Sequence, residues 1–185
     1  KLDGVRCIVR KDGDTIKAYS RAGNEFTTLQ KVLDDVKLMP GDFVLDGEIC
    51  MMDENGNEDF QGIMKQIKKK NHTIENPKFV IFDYLSLSEF DNKTSQMILS
   101  ERLNELKGEI PHDGYYDYLT LLPQQLVNSE EELLEMTAEA ETNGYEGVML
   151  RKNVGYEGKR SKNLLKCKKF HDAEYKVMGA TNGDI

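Results

Sequence analysis

Cysteine is scarce and scattered: Cys7, Cys50 and Cys167 are the three in 185 residues. They show no C-x-x-C spacing, which argues against a disulfide framework. Free thiols in a reducing cytoplasm are the simplest reading. The three histidines, His72, His112 and His171, fall at no metal-ligand spacing and read as surface residues. No hydrophobic run approaches the length of a bilayer span, so no membrane partner is expected. A G-x-x-x-x-G-K-[ST] loop is missing, which argues against a P-loop nucleotide site. No internal repeat or low-complexity tract interrupts the chain.

What is present is the balance of an ordinary globular protein, with 38% apolar and 31% charged residues. The length suits one domain with a core of its own, and the start of a second. A net charge of −8 argues against a wholly basic nucleic-acid coat, but local patches still allow phosphate binding. One patch, from Lys65 to Lys70, reads over Lys68–Lys70 as a solvated face. The second holds Lys159, Arg160, Lys162, Lys166, Lys168 and Lys169. There Lys166 and Lys168 alternate with Leu165 and Cys167, so a strand would put the lysines on one side and a core on the other.

Hydrophobic periodicity predicts strands over 5–10, 15–21, 43–52, 78–87, 119–122, 146–151, 163–170 and 174–180. Lys11-Asp12-Gly13-Asp14 is a hairpin turn signal between the first two. Helices are expected over 28–38, around Phe60 to Ile67, over 95–106 with Gly108 as its stop, and from Ser129 to Gly144. Ser129 and Glu132 form a capping-box pattern, with Leu133, Leu134, Met136 and Ala140 as that helix's buried face. Strands and helices mix without regular βαβ alternation. The expected class is α+β, with two mainly antiparallel sheets flanked by helices.

The chemistry-bearing residues fall at strand ends and loop edges. Lys1-Leu2-Asp3-Gly4-Val5-Arg6 is a short loop running into a strand, with a lysine at its mouth. A lysine attacking a nucleotide α-phosphorus must lose its proton, although it ordinarily titrates near about 10.4. Burial and nearby positive charge lower that value. Such a site also needs carboxylates for a hard divalent metal, an aromatic face for the base and fixed cations for the phosphates. Glu48, Glu146, Phe82, Arg6, Arg21, Lys166 and Lys168 are candidates for these places.

Lys-x-Asp-Gly-x-Arg, Ser-Arg-x-Gly, Asp-Gly-Glu, Phe-Asp-Tyr-Leu, Glu-Gly-Val-Met-Leu-Arg and Leu-Lys-Cys-Lys-Lys follow one another in that order. Together they resemble motifs I, Ia, III, IIIa, IV and V of the covalent nucleotidyltransferases, and most closely ATP-dependent DNA ligases of tailed bacteriophages. The resemblance implies an adenylation domain of ATP-grasp-like architecture over 1–171, truncated at its N-terminus, and the start of an OB-fold over 172–185. It implies that Lys1 is the adenylated nucleophile. Arg6, Arg21, Glu48, Phe82, Arg160, Lys166 and Lys168 would hold the nucleotide, with Phe82 on the adenine and the two lysines on the α-phosphate. Glu48 and Glu146 would serve a magnesium ion. ATP and nicked duplex DNA are the implied partners, and a monomer is expected. The alternatives are an RNA ligase or mRNA capping guanylyltransferase of the same lysine chemistry, or a non-catalytic nick-binding module.

Motif VI of that family, which orients pyrophosphate, has no counterpart here. The isolated chain is therefore expected to be slow at labelling its own lysine. Incubation with α-labelled ATP and magnesium checks this, and rapid stoichiometric labelling would overturn it.

Overall fold

The computed structural model describes residues 1–112 and 114–168. The expected last strand over 174–180 and the expected OB-fold start over 172–185 lie outside the described residues.

The larger of two sheets is built on a hairpin. β1 (Val5–Asp12) and β2 (Thr15–Ser20) pair antiparallel from Cys7–Ser20 to Asp12–Thr15. Only Gly13 and Asp14 remain for the turn, and Gly13 takes a positive φ of 57° there. β3 (Glu25–Phe26) adds to the outer side of β2. Helix α1 (Gln30–Leu38) then covers one sheet face with Val32 and Val36. Its last turn ends on the buried Lys11, whose ammonium donates to the Met39 carbonyl.

β4 (Phe43–Cys50) runs down the centre, antiparallel to β1. α2 (Phe60–Gln66) follows and is capped by Asp59, which accepts from the Gly62 amide at 2.8 Å. β5 (Lys78–Leu85) pairs antiparallel with β4. After α3 (Leu87–Asp91) and α4 (Leu99–Glu109) the chain adds β6 (Leu119–Leu121), parallel to β5. The sheet order is β3-β2-β1-β4-β5-β6. Alternation divides its faces. Cys7, Val9, Leu45, Ile49, Phe79 and Ile81 join α1 and α2 in the core. Arg6, Asp46 and Glu48 take the other side.

A bulge breaks that alternation once. Asp46 faces Asp83, but Gly47 faces Ile81, so Phe82 is an extra residue opposite the Asp46–Gly47 step. A bulge sets two successive side chains toward the same side. Phe82 and Asp83 thus share the face of Arg6 and Asp46, and Tyr84 returns to the core side beside Phe43. Gly47 makes the close approach possible. A Cβ there would sit 2.5 Å from both the Phe79 ring and the Val80 carbonyl oxygen.

The second sheet is a two-stranded ribbon, β7 (Val148–Arg151) with β8 (Leu164–Cys167), and α5 (Glu130–Thr142) lies beside it. Its connecting loop is stitched to the segment before α4. The Ser95, Gly158 and Leu99 amides donate to the Tyr156, Lys93 and Val154 carbonyls at 3.2, 2.8 and 3.1 Å. The α+β class with mainly antiparallel sheets is as expected, and three packing expectations are corrected. Leu165 is 49% exposed and not turned into a core, because among the described residues the two-stranded ribbon leaves that side uncovered. On α5, Leu133, Met136 and Ala140 are half-buried, whereas Leu134 lies off that stripe and is 63% exposed. Gly108 sits inside α4, which runs on to Glu109.

These two glycines give opposite expectations. Gly47→Ala should destabilise the fold by about 1–3 kcal/mol, the usual range for overpacking. Gly108→Ala meets open space and should stabilise it by roughly 0.5–1 kcal/mol. Urea unfolding of the two variants checks both signs.

Candidate active site

The opening loop is held by carboxylates. Glu48 faces Arg6 across the β1–β4 ladder and accepts from the Gly4 amide at 3.0 Å. Glu58, which the sequence motifs do not single out, accepts from the Asp3 amide at 2.9 Å. At the loop's mouth the Lys1 ammonium is ion-paired with Glu146, and its α-amino group donates to the Gly147 carbonyl. The other Glu146 oxygen accepts from the Lys168 ammonium at 2.7 Å. One carboxylate therefore bridges the ammonium groups of Lys1 and Lys168. Gly147 lets the strands close around it: its φ is +133°, and a Cβ would run into the Cys167 carbonyl oxygen and lie 3.0 Å from the Lys168 Cα.

These charges tune one another. Burial works to lower the Lys1 amine, but the hydrogen bond and charge of Glu146 outweigh it and hold the amine above its ordinary value. In the free chain the facing carboxylate thus favours the ammonium form. Hydrogen bonds from Lys1 and Lys168 pull Glu146 down to about 2. Burial raises Glu48, against the Gly4 amide and the charges of Lys1 and Arg6.

Beside this trio lies a second group. Asp46 is 2% exposed and holds the Arg6 guanidinium through both oxygens. Burial pushes Asp46 up to about 6, while Arg6 pulls against it. The Arg6 guanidinium carbon stands 4.8 Å from the centroid of the half-buried Phe82 ring. Asp83, with its side chain wholly buried, accepts from Arg102 of α4 at 2.7 and 3.0 Å and from Arg151 of β7 at 2.6 Å. Arg151 also donates to the Phe82 carbonyl at 2.9 Å. Burial opposes the Asp83 charge, but the two arginines win and hold its carboxyl below the usual range.

Lys1, Arg6, Glu48, Phe82, Glu146 and Lys168 are thus brought together. Lys166 lies opposite Met149 and is exposed; it shares the Lys168 side of the strand by alternation. Arg21, in the turn after β2, and Arg160, in the β7–β8 loop, are exposed and make no ion pair among the described residues. Asp46, Glu58, Asp83, Arg102 and Arg151 were not singled out from the motifs. Arg102 did leave a signal, since it occupies the Leu99–Leu106 stripe of a helix where a buried charge demands a partner.

A family model described as the ATP dependent DNA ligase domain matches residues 1–168. The chain belongs to that family. It is 29% identical over its whole length to an SPbeta prophage-derived DNA ligase-like protein, LigB, of Bacillus subtilis, covering 65% of that protein. It is 27% identical to a DNA ligase of Archaeoglobus fulgidus, covering all of the chain and 34% of the relative. The chain thus spans about a third to two thirds of these relatives. Among solved structures, a Chlorella virus DNA ligase-adenylate superposes with a TM-score of 0.68 at 26% identity, over 94% of this chain and 60% of that one. The ATP complex of the bacteriophage T7 ligase gives 0.70 at 18% identity, over 91% and 60%, and supports the shared fold.

Replacing Glu146 by Gln removes the largest of the charges that raise Lys1, leaving the smaller effects of Glu48 and Asp3 against the burial that lowers it. The Lys1 ε-amine of Glu146→Gln should therefore titrate below that of the parent, by 13C NMR of its Cε. An unchanged titration would break the assignment.

Proposed function

We propose that this chain is the adenylation domain of an enzyme that seals nicks in duplex DNA. The observation that carries the proposal is the Lys1 ε-amine held against Glu146 and Lys168, beside Glu48, in a chain of the ATP-dependent DNA ligase family. The Lys1 Nζ attacks the ATP α-phosphorus, an N–P bond forms, and the bond to the pyrophosphate breaks. AMP then passes to the 5′-phosphate of the nick. The adjacent 3′-hydroxyl attacks that phosphate and releases AMP.

The residues divide the work. Phe82 takes the adenine face and Arg6 the ribose and phosphates. Lys166 and Lys168 balance the charge on the α-phosphate, and the exposed Arg21 and Arg160 are free for nucleotide or nick phosphates. The Lys1 amine starts as an ammonium, so its attack requires Glu146 to be drawn away or its charge offset. Magnesium fits that need. No cluster of three or more acidic, His or Cys groups forms among the described residues, and this ion binds through one or two carboxylates together with phosphates. Glu48 and Glu146 would hold it, and its charge would favour a neutral lysine. Duplex DNA would lie along the basic segment from Arg160 to Lys168, through phosphate contacts that weaken with salt.

A longer protein containing this chain should lose ATP-dependent sealing of a DNA nick by roughly a thousandfold or more in Lys1→Ala, the scale of losing a nucleophile. Sealing unchanged in Lys1→Ala would refute the catalytic reading, and nick binding that survives the change, with no sealing by the parent, would point to a binding module. Faster sealing of an RNA nick, or labelling by GTP over ATP, would move the assignment to an RNA ligase or capping enzyme.

A further inference from the structure

Phe82 is an unusual platform. It is the extra residue of a bulge, and no regular ladder position fixes its height over the pocket. Something else must hold it. The contacts made by its backbone carbonyl and by the next side chain come from three places, and one is the side-chain amide of Gln124, after β6, which donates to the Phe82 carbonyl at 3.0 Å. Arg151 grips the Phe82 carbonyl at 2.9 Å and Asp83 at 2.6 Å with different guanidinium nitrogens. Arg102, 2% exposed on α4, grips both Asp83 oxygens from another direction. The guanidinium carbon of Arg151 also lies 6.0 Å from the Phe82 ring centroid. A guanidinium can make two divergent contacts at once, whereas an ammonium cannot reproduce that fork.

Arg151 is the last residue of β7, and Glu146 stands two residues before that strand begins. The same short segment therefore pairs with Lys1 at one end and clamps the Phe82 bulge at the other. Five residues of extended chain reach at most roughly 17 Å, so one short segment serves both contacts.

We propose that Arg151 is a positioning residue for the base platform. With Asp83 and Arg102 as its anchor, it fixes the Phe82 bulge and so ties the stacking ring to the strand that carries the partner of the nucleophile. This rests on the reading that Phe82 stacks on the nucleotide base. Among the described residues the polar contacts of Arg151 are the Phe82 carbonyl and Asp83, so it acts through Phe82.

The chain has no tryptophan, so Phe82→Trp installs a single fluorescent reporter at the platform. AMP serves as the nucleotide probe because it cannot label the lysine, and inorganic pyrophosphate serves as the phosphate-only probe. In the parent background, Arg151→Lys should weaken AMP binding by about tenfold, the order of one base–aromatic stack, and leave pyrophosphate binding unchanged. Phe82→Leu should cause a similar loss, and the double variant should be no weaker than Phe82→Leu alone. In the Phe82→Trp protein without ligand, adding Arg151→Lys should lower the fluorescence anisotropy of the indole.

Equal losses for AMP and pyrophosphate in Arg151→Lys would reduce Arg151 to a general structural role and overturn the proposal. A full loss in Phe82→Leu with none in Arg151→Lys would overturn the proposal and keep the stacking role. AMP binding unchanged in Phe82→Leu would refute the stacking reading itself, and the proposal with it. If Arg151→Lys folds poorly, Arg151→Gln carries the same comparisons, and an indole anisotropy unchanged in the folded variant counts against the proposal.

Discussion

The wholly buried carboxylate of Asp83 is the constraint on which the rest of the site depends. A lone buried charge is costly, and this one is kept by two guanidiniums arriving from separate elements. Arg102 comes from α4, beside the large sheet, and Arg151 from the ribbon. The ribbon buries little apolar surface of its own: Met149, Leu164 and Leu165 are all more than 40% exposed. Polar contacts therefore do much of the joining of ribbon to sheet. Asp83, the backbone stitches from residues 153–158 to 93–99, and the contacts of Lys1 with Glu146 and Gly147 share that task.

The same junction sets the electrostatics. Arg6, Arg102 and Arg151 gather around Asp46 and Asp83, and the Lys1 and Lys168 ammoniums meet on Glu146. Around Asp46 and Asp83 the three arginines outnumber the two carboxylates, and fixed positive charge suits a ligand that carries phosphates. In the free chain Lys1 is ion-paired with Glu146, so whatever frees its amine must compete for that carboxylate.

Several expectations were legible because they rest on local rules. Gly13-Asp14 closes the first hairpin, Ser129 caps α5, and the apolar run from Phe79 to Phe82 belongs to a strand. Lys1, Glu48, Glu146 and Lys168, named from the motifs of the resembled family, do lie together. Among the missed residues, Asp83 has a clear physical cause. Alternation in a strand says which residues face together only while the ladder is regular, and the Phe82 bulge shifts that register without any mark in composition. The covering of Leu165 was misjudged for a related reason: alternation implies two faces but not that a second layer lies behind one of them.

By itself the sequence determined the first hairpin, most of the helices and the α+β class, since periodicity and turn residues are local properties of the chain. Only the tertiary structure decided which charges meet. Lys1 reaches Glu146 across 145 positions, Arg151 reaches Asp83 across 68, and Arg102 reaches the same carboxylate from a different helix face. It also decided the state of the opening lysine, because the balance between burial and a facing carboxylate depends on distance and solvent, neither of which is written in the order of the residues.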